Sequence, residues 1–226
     1  MKKKSIVISG IIAGVLLIGG AFAYFSGTAE QKQNNFTVVA GGQAGPIKIT
    51  EPEWDKLPDT NNNKIPDKAE DIEPGQLVTK DPCVESICDY DGWVVMKVSV
   101  PTISAQKNTD TKDKVYDVFT LAGYDTPEGF NSDDFVALTA SNSVSTATTK
   151  KSVYYYGYKK VLKAHDITPP LFKKLKMQEF VMISAAKKDS VDIDAVIIQK
   201  INPSTGEEFK NVQEAFDIVT DHKNVF

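Results

Sequence analysis

Residues 93–100 alternate without a break: Trp93, Val95, Lys97 and Ser99 fall on one parity, and Val94, Met96, Val98 and Val100 on the other. Side chains of an extended strand point to opposite faces in turn, so the all-apolar parity must meet a core. A strand with an obligate core face needs neighbours beside it and a second layer above it. Pro101 is expected to close this strand. Residues 191–199 repeat the pattern, with Val191, Ile193, Ala195 and Ile197 on one side. Asp192, Asp194, Val196 and Ile198 lie on the other, where the two aspartates read as a solvated edge face.

Shorter runs of the same kind punctuate the rest. Residues 36–39, 47–50, 76–80 and 115–120 read as strands separated by Gly, Pro and Asn/Asp turns, with Trp54 as a core anchor. Residues 130–135 read as a turn or a single helical turn capped by Asn131 or Ser132, and residues 141–149 as a Ser/Thr-rich loop or exposed edge. The tyrosines Tyr154, Tyr155, Tyr156 and Tyr158 sit on a strand, where cross-strand packing explains them better than a sugar-stacking surface. Near the end Asn211 caps a short helix over 212–219. Glu214 stands at the reciprocating third position, and the stripe Val212, Ala215, Phe216 and Val219 docks it on a sheet. Without any alternation of strands and helices, this is an all-β antiparallel sandwich with a short C-terminal helix. It forms one domain over 36–226, with a loop insertion at about 56–73.

Ahead of that domain stands an apolar, uncharged run over 5–25, fed by Lys2, Lys3 and Lys4. Its length approaches the ~30 Å hydrocarbon core, and the lysines hold its start on the cytoplasmic side. The run marks export. Ala21 and Ala23 place small residues where signal peptidase reads, giving a signal helix over 1–23 and a polar mature leader over 24–35. The alternative is a single-pass protein anchored by residues 5–25. Otherwise the membrane is met only through this segment before cleavage. A net charge of −4 with both signs interspersed does not suit nucleic acid. In an exported chain Cys83 and Cys88, with four residues between them, are expected to form an intrachain disulfide.

The strongest chemical pattern is the stretch 59–70. Counting Asp59 as the first position, oxygen-bearing side chains recur at Asn61, Asn63, Asp67 and Glu70, and Ile65 stands where only a backbone carbonyl is needed. That is the ligand order of an EF-hand-type calcium loop. Lys64 occupies the place where the sharp turn demands glycine, so the turn would move to Asn62 or Asn63. The competing reading is a hydrophilic surface loop of good turn formers. No nucleophile elbow or phosphate-cradling glycine loop is present. The two histidines, His165 and His222, fall short of the three protein ligands of a catalytic zinc. These patterns point to a protein without an active site.

Several stretches together resemble the secreted camelysin and TasA type of Gram-positive bacteria, whose members build or accompany biofilm matrix fibres. The resemblance runs through the leader ending Gly19-Gly20-Ala21-Phe22-Ala23-Tyr24-Phe25-Ser26, through Ile72-Glu73-Pro74-Gly75-Gln76, and through residues 93–101. It continues in Pro170-Leu171-Phe172-Lys173-Lys174 and in the closing pair 192–199 and 211–216. It implies a jelly-roll core, handling by a specialised signal peptidase and secretion to the matrix or cell surface. It also implies polymerisation with copies of itself or a homologous matrix protein, by lending an N-terminal strand, here Phe36, Val38 and Val39. Two alternatives stay open: a camelysin-like surface metallopeptidase, and a monomeric membrane-anchored binding module.

Overall fold

A computed structural model of the 226-residue chain describes residues 26–28, 32–35, 37–38, 47–62, 65–139, 151–183, 190–202 and 205–221. The chain is all-β with one short C-terminal helix among the described residues. At the centre lies β7 (Gly92–Gln106), paired antiparallel with β14 (Val191–Gln199) on one edge and β11 (Lys151–Tyr158) on the other. Outside β11 runs β10 (Phe135–Leu138), and on the far edge of β14 run β1 (Ser26–Thr28) and β2 (Lys32–Asn35), the latter paired with β3 (Thr37–Val38). The second half of β7 takes other partners, β8 (Lys114–Asp117) and β13 (Met182–Ile183).

Two smaller sheets complete the strand set. One joins β5 (Leu77–Thr79), β12 (Lys174–Met177) and β9 (Phe119–Ala122); the other joins β4 (Ile47–Thr50) and β6 (Cys83–Ser86). Their apolar residues, among them Ile47, Ile49, Val84, Leu175 and Phe119, share a core with Val94, Met96, Val98 and Val100 of β7. Val191, Ile193, Ala195 and Ile197 of β14 lie in the same core, so both all-apolar parities face it as the period-two pattern requires.

The opposite face of the main sheet is also buried. Trp93, Val95, Val196 and Ile198 pack against Phe209 and the helix α1 (Val212–Asp221), which inserts Val212, Ala215 and Phe216. The Asn211 carboxamide oxygen accepts the Glu214 N–H at 3.0 Å, as an N-cap should. Glu214 reaches back to the Lys210 N–H at 2.9 Å, one residue before the position a regular capping box would use. The helix comes so close that a Cβ on Gly157 of β11 would lie 2.5 Å from Val212 Cγ1, so only glycine fits beneath it.

Three expectations are corrected. Pro101 does not end its strand: β7 continues to Gln106, because Pro101 stands where the β11 ladder ends and that of β8 begins at Thr102. The missing N–H falls at the handover, and the Pro101 carbonyl still accepts the Val118 N–H at 2.8 Å. The 115–120 stretch splits at Val118 into two strands that enter different sheets.

The third correction concerns the cysteines. Cys83 and Cys88 form no disulfide. β6 extends the chain from Cys83 to Ser86, about 10 Å of separation in three steps, beyond the ~7 Å Cα limit a disulfide tolerates unless the chain doubles straight back. The two thiols instead face different neighbours. Cys83 Sγ lies 3.5 Å from the Asp81 carbonyl, while Cys88 Sγ lies 3.1 Å from Ser86 Oγ and 3.3 Å from the Tyr90 carbonyl. Burial, with Asp81 and Glu51 nearby, pushes the Cys83 thiol up to about 12, which leaves it protonated and inert.

Candidate functional site

β14 is buried from Val191 to Ile198, with one parity apolar throughout that span and the other apolar at Val196 and Ile198 and acidic at Asp192 and Asp194. One edge is taken by β7 from Asp192 to Gln199. The other edge is taken by the N-terminal segment, which pairs Ser26, Gly27 and Thr28 with Ile198, Ile197 and Val196, and then Lys32, Gln33 and Asn34 with Ile193, Asp192 and Val191. The sequences of β1 and β2, Ser-Gly-Thr and Lys-Gln-Asn-Asn, carry no large apolar residue. Main-chain pairing therefore attaches this segment to β14 with little help from apolar burial, which is the mode of an added strand on a sheet edge. Val38 lies one strand further out, opposite Asn34, while Phe36 and Val39 fall outside the described residues.

Beside this edge runs a row of charges. Asp192 and Asp194 are each 7% exposed rather than solvated. Lys97 Nζ meets Asp194 Oδ2 at 2.8 Å, directly across the β7–β14 register, and Lys151 Nζ meets Asp192 Oδ2 at 2.6 Å. Ser190 Oγ donates to the other Asp192 oxygen at 2.7 Å. A carboxylate enclosed this far needs a countercharge, supplied by Lys97 on the adjacent strand β7 and by Lys151 on β11, one strand beyond it. The row ties β11, β7 and β14 together side to side, with Gln33 of the N-terminal segment standing opposite Asp192.

The 59–70 loop is closed by its own hydrogen bonds. Asp67 Oδ1 accepts from the Thr60 N–H at 2.9 Å and from its hydroxyl at 3.1 Å, while Asn61 Nδ2 donates to Glu70 Oε1 at 2.9 Å. Asn62 takes φ 61, so the turn falls on an asparagine as the misplaced Lys64 requires. Among the described residues no three His, Cys, Asp or Glu side chains gather as a metal-holding group, and Asn63 lies outside them. Asp59, Asp67 and Glu70 are thus not drawn together in this arrangement.

His165 sits on an exposed turn at φ 59, its Nε2 2.9 Å from Asp89 Oδ1; His222, Ala21 and Ala23 are outside the described residues, as are residues 141–149. Among the described residues no helix is long and apolar enough to cross a membrane, and the 5–25 run lies outside them. The tyrosines serve packing. Tyr156 rests on Phe130 at 4.9 Å, Tyr158 on Phe135 at 5.4 Å and Tyr155 on Phe216 at 5.1 Å between ring centroids. Tyr154, the most exposed of the four, donates to Asp117, and burial together with that bond pushes its phenol up to about 12.

Sequence reasoning missed the charged partners. Lys97 could have been matched to Asp194 by placing the two clearest strands side by side; no local signal joins Lys151 to Asp192, or Lys80 to Glu51. Comparison with protein-family models, curated proteins and solved structures finds no match.

Proposed function

We propose that the chain is an extracellular structural protein of the camelysin and TasA type, with a jelly-roll-like sandwich, secreted to the matrix or cell surface after removal of residues 1–23. It assembles with copies of itself, or with a homologous matrix protein, by exchanging its N-terminal strand. One observation carries this reading: the enclosed strand β14 has one edge filled by a polar segment that main-chain pairing holds. Such a segment has the same register to offer the β14 of a neighbour, because backbone groups do not distinguish one copy from the next. Its exchange costs little apolar burial. The reading assigns the chain no reaction.

The test compares the leader-free protein with a form lacking residues 24–40, by size-exclusion chromatography and negative-stain microscopy. The longer form is expected to give oligomers or fibres. The shorter one should stay monomeric and bind a synthetic peptide of residues 26–38 on its open edge. Monomers from both forms under every fibre-promoting condition would reject strand exchange.

A second reading, calcium at Asp59, Asn61, Asn63, Ile65, Asp67 and Glu70, is favoured by the left-handed turn at Asn62 and by the Asn61–Glu70 contact, which links the third and twelfth positions of the loop. Binding would have to draw Asp67 away from Thr60 and Glu70 away from Asn61. Affinity in the 10⁻⁴–10⁻³ M range of extracellular modules is expected, roughly tenfold weaker or lost in Asp59→Ala and Glu70→Ala. Calorimetric titration without saturable heat up to about 10 mM calcium would reject the site.

A further inference from the structure

The most deeply enclosed ion pair among the described residues joins two of the smaller sheets. Lys80 follows β5 and Glu51 follows β4; their side chains are 2% and 0% exposed, and Nζ lies 2.7 Å from Oε1. The pair spans 29 positions of sequence. The Trp54 ring faces the ammonium at 4.9 Å from its centroid. A third ionisable group, Asp81, is buried at the same place. Its Oδ2 accepts the Glu53 N–H at 2.8 Å and its Oδ1 the Trp54 N–H at 3.1 Å, so the backbone just after Glu51 pins this carboxyl. Burial holds the Asp81 carboxyl above its ordinary range, with the nearby Glu51 charge adding to the effect.

Two opposite charges held out of water each cost several kcal/mol of solvation, which their mutual attraction offsets only with excellent geometry. The same groups joined as an amide carry no charge at all, and the water formed leaves for solvent. Lys80 Nζ lies 2.7 Å from one oxygen of the carboxyl whose carbon it would attack, so the two groups are already held against each other. We infer that Lys80 and Glu51 condense into an intramolecular isopeptide bond, Nζ to Cδ, with Asp81 as the proton carrier.

The step balances without any other reactant. One ammonium proton passes to the Glu51 carboxylate, leaving a neutral amine and a neutral acid. The Nζ lone pair attacks Cδ. As the tetrahedral adduct collapses, a second Nζ proton travels through Asp81 to the departing oxygen, the C–O bond breaks and water leaves. Asp81 ends as it began. No group changes oxidation state. The product fastens β4 to β5 and closes a covalent ring around the 59–70 loop, whether or not the protein exchanges its N-terminal strand.

Intact-mass measurement of the denatured full chain tests this directly. The mass is expected to fall one water below the value the sequence requires for the observed N-terminus, with residues 51 and 80 recovered after proteolysis in one branched peptide. Lys80→Met should remove the deficit. Glu51→Gln should condense with loss of ammonia instead of water and reach the same branched product. Asp81→Asn should fold, by circular dichroism, yet keep the full sequence mass, and Asp81→Glu should restore the deficit. A parent protein at its full sequence mass, with residues 51 and 80 in two separate linear peptides, overturns the bond. A branched peptide that survives in Asp81→Asn overturns the role of Asp81.

Discussion

Lys80→Met is expected to be among the most damaging single substitutions in the chain, lowering stability by about 3–5 kcal/mol, because it leaves the Glu51 carboxylate fully buried with its countercharge removed. Glu51 is 0% exposed, so no water can move in to solvate it without opening the junction of β4 and β5. Removing both charges should recover the part of the loss due to the buried carboxylate: Lys80→Met combined with Glu51→Leu fills the same space with apolar groups, and such replacements of an ion pair are often neutral or stabilising. Neither variant can carry the Nζ–Cδ bond, so the difference between them isolates the buried charge. Urea unfolding curves give that difference. A double variant no more stable than Lys80→Met alone would show that shape and packing, not the uncompensated carboxylate, set the cost.

Phe216→Ala should be comparably severe, at about 3–5 kcal/mol. Phe216 is 0% exposed and fills the space between α1 and the outer face of the main sheet, against Tyr155 and beside Trp93, Val95, Val196 and Ile198. The helix is only ten residues long, too short to hold its shape in water on its own, so losing its central anchor should release it from the sheet. Phe216→Leu should cost under about 2 kcal/mol, since most of the volume is kept. Limited proteolysis reads the release: new cleavage after residue 209 in the alanine variant and none in the leucine variant is the expected pattern. A fully protected helix in Phe216→Ala would mean that Val212 and Ala215 suffice to dock it.

Much of the architecture was legible because it follows from periodicity. The apolar parities of 93–100 and 191–199 face one core, and the cap at Asn211 starts the helix where the pattern places it. What stayed hidden depends on partners distant in sequence. Asp192 and Asp194 look like surface residues until Lys151 and Lys97 are set beside them, and a strand viewed alone does not say which strand lies next to it. Pro101 misled for a related reason, since proline stops a strand only where its N–H is needed, and the change of partners at Thr102 cannot be read locally. The disulfide expectation rested on compartment and spacing; it failed because β6 draws the chain out between the two thiols. The candidate assembly edge was half legible. The N-terminal segment was recognisable as strand-forming, but its apolar stretch drew attention past the polar residues that meet β14.

The gap at Gly157 has a meaning beyond close packing. Val212 sits over the one residue of β11 that lacks a side chain, with Leu138 of β10 at the rim, 3.1 Å from where a Cβ would be. A slip of one residue in the pairing of β11 with β7 would bring Tyr156 or Tyr158 under the helix, and there would be no place for Val212. The C-terminal helix can therefore close only over a correctly aligned sheet. Being made after every strand it covers, it proofreads the register of strands laid down before it.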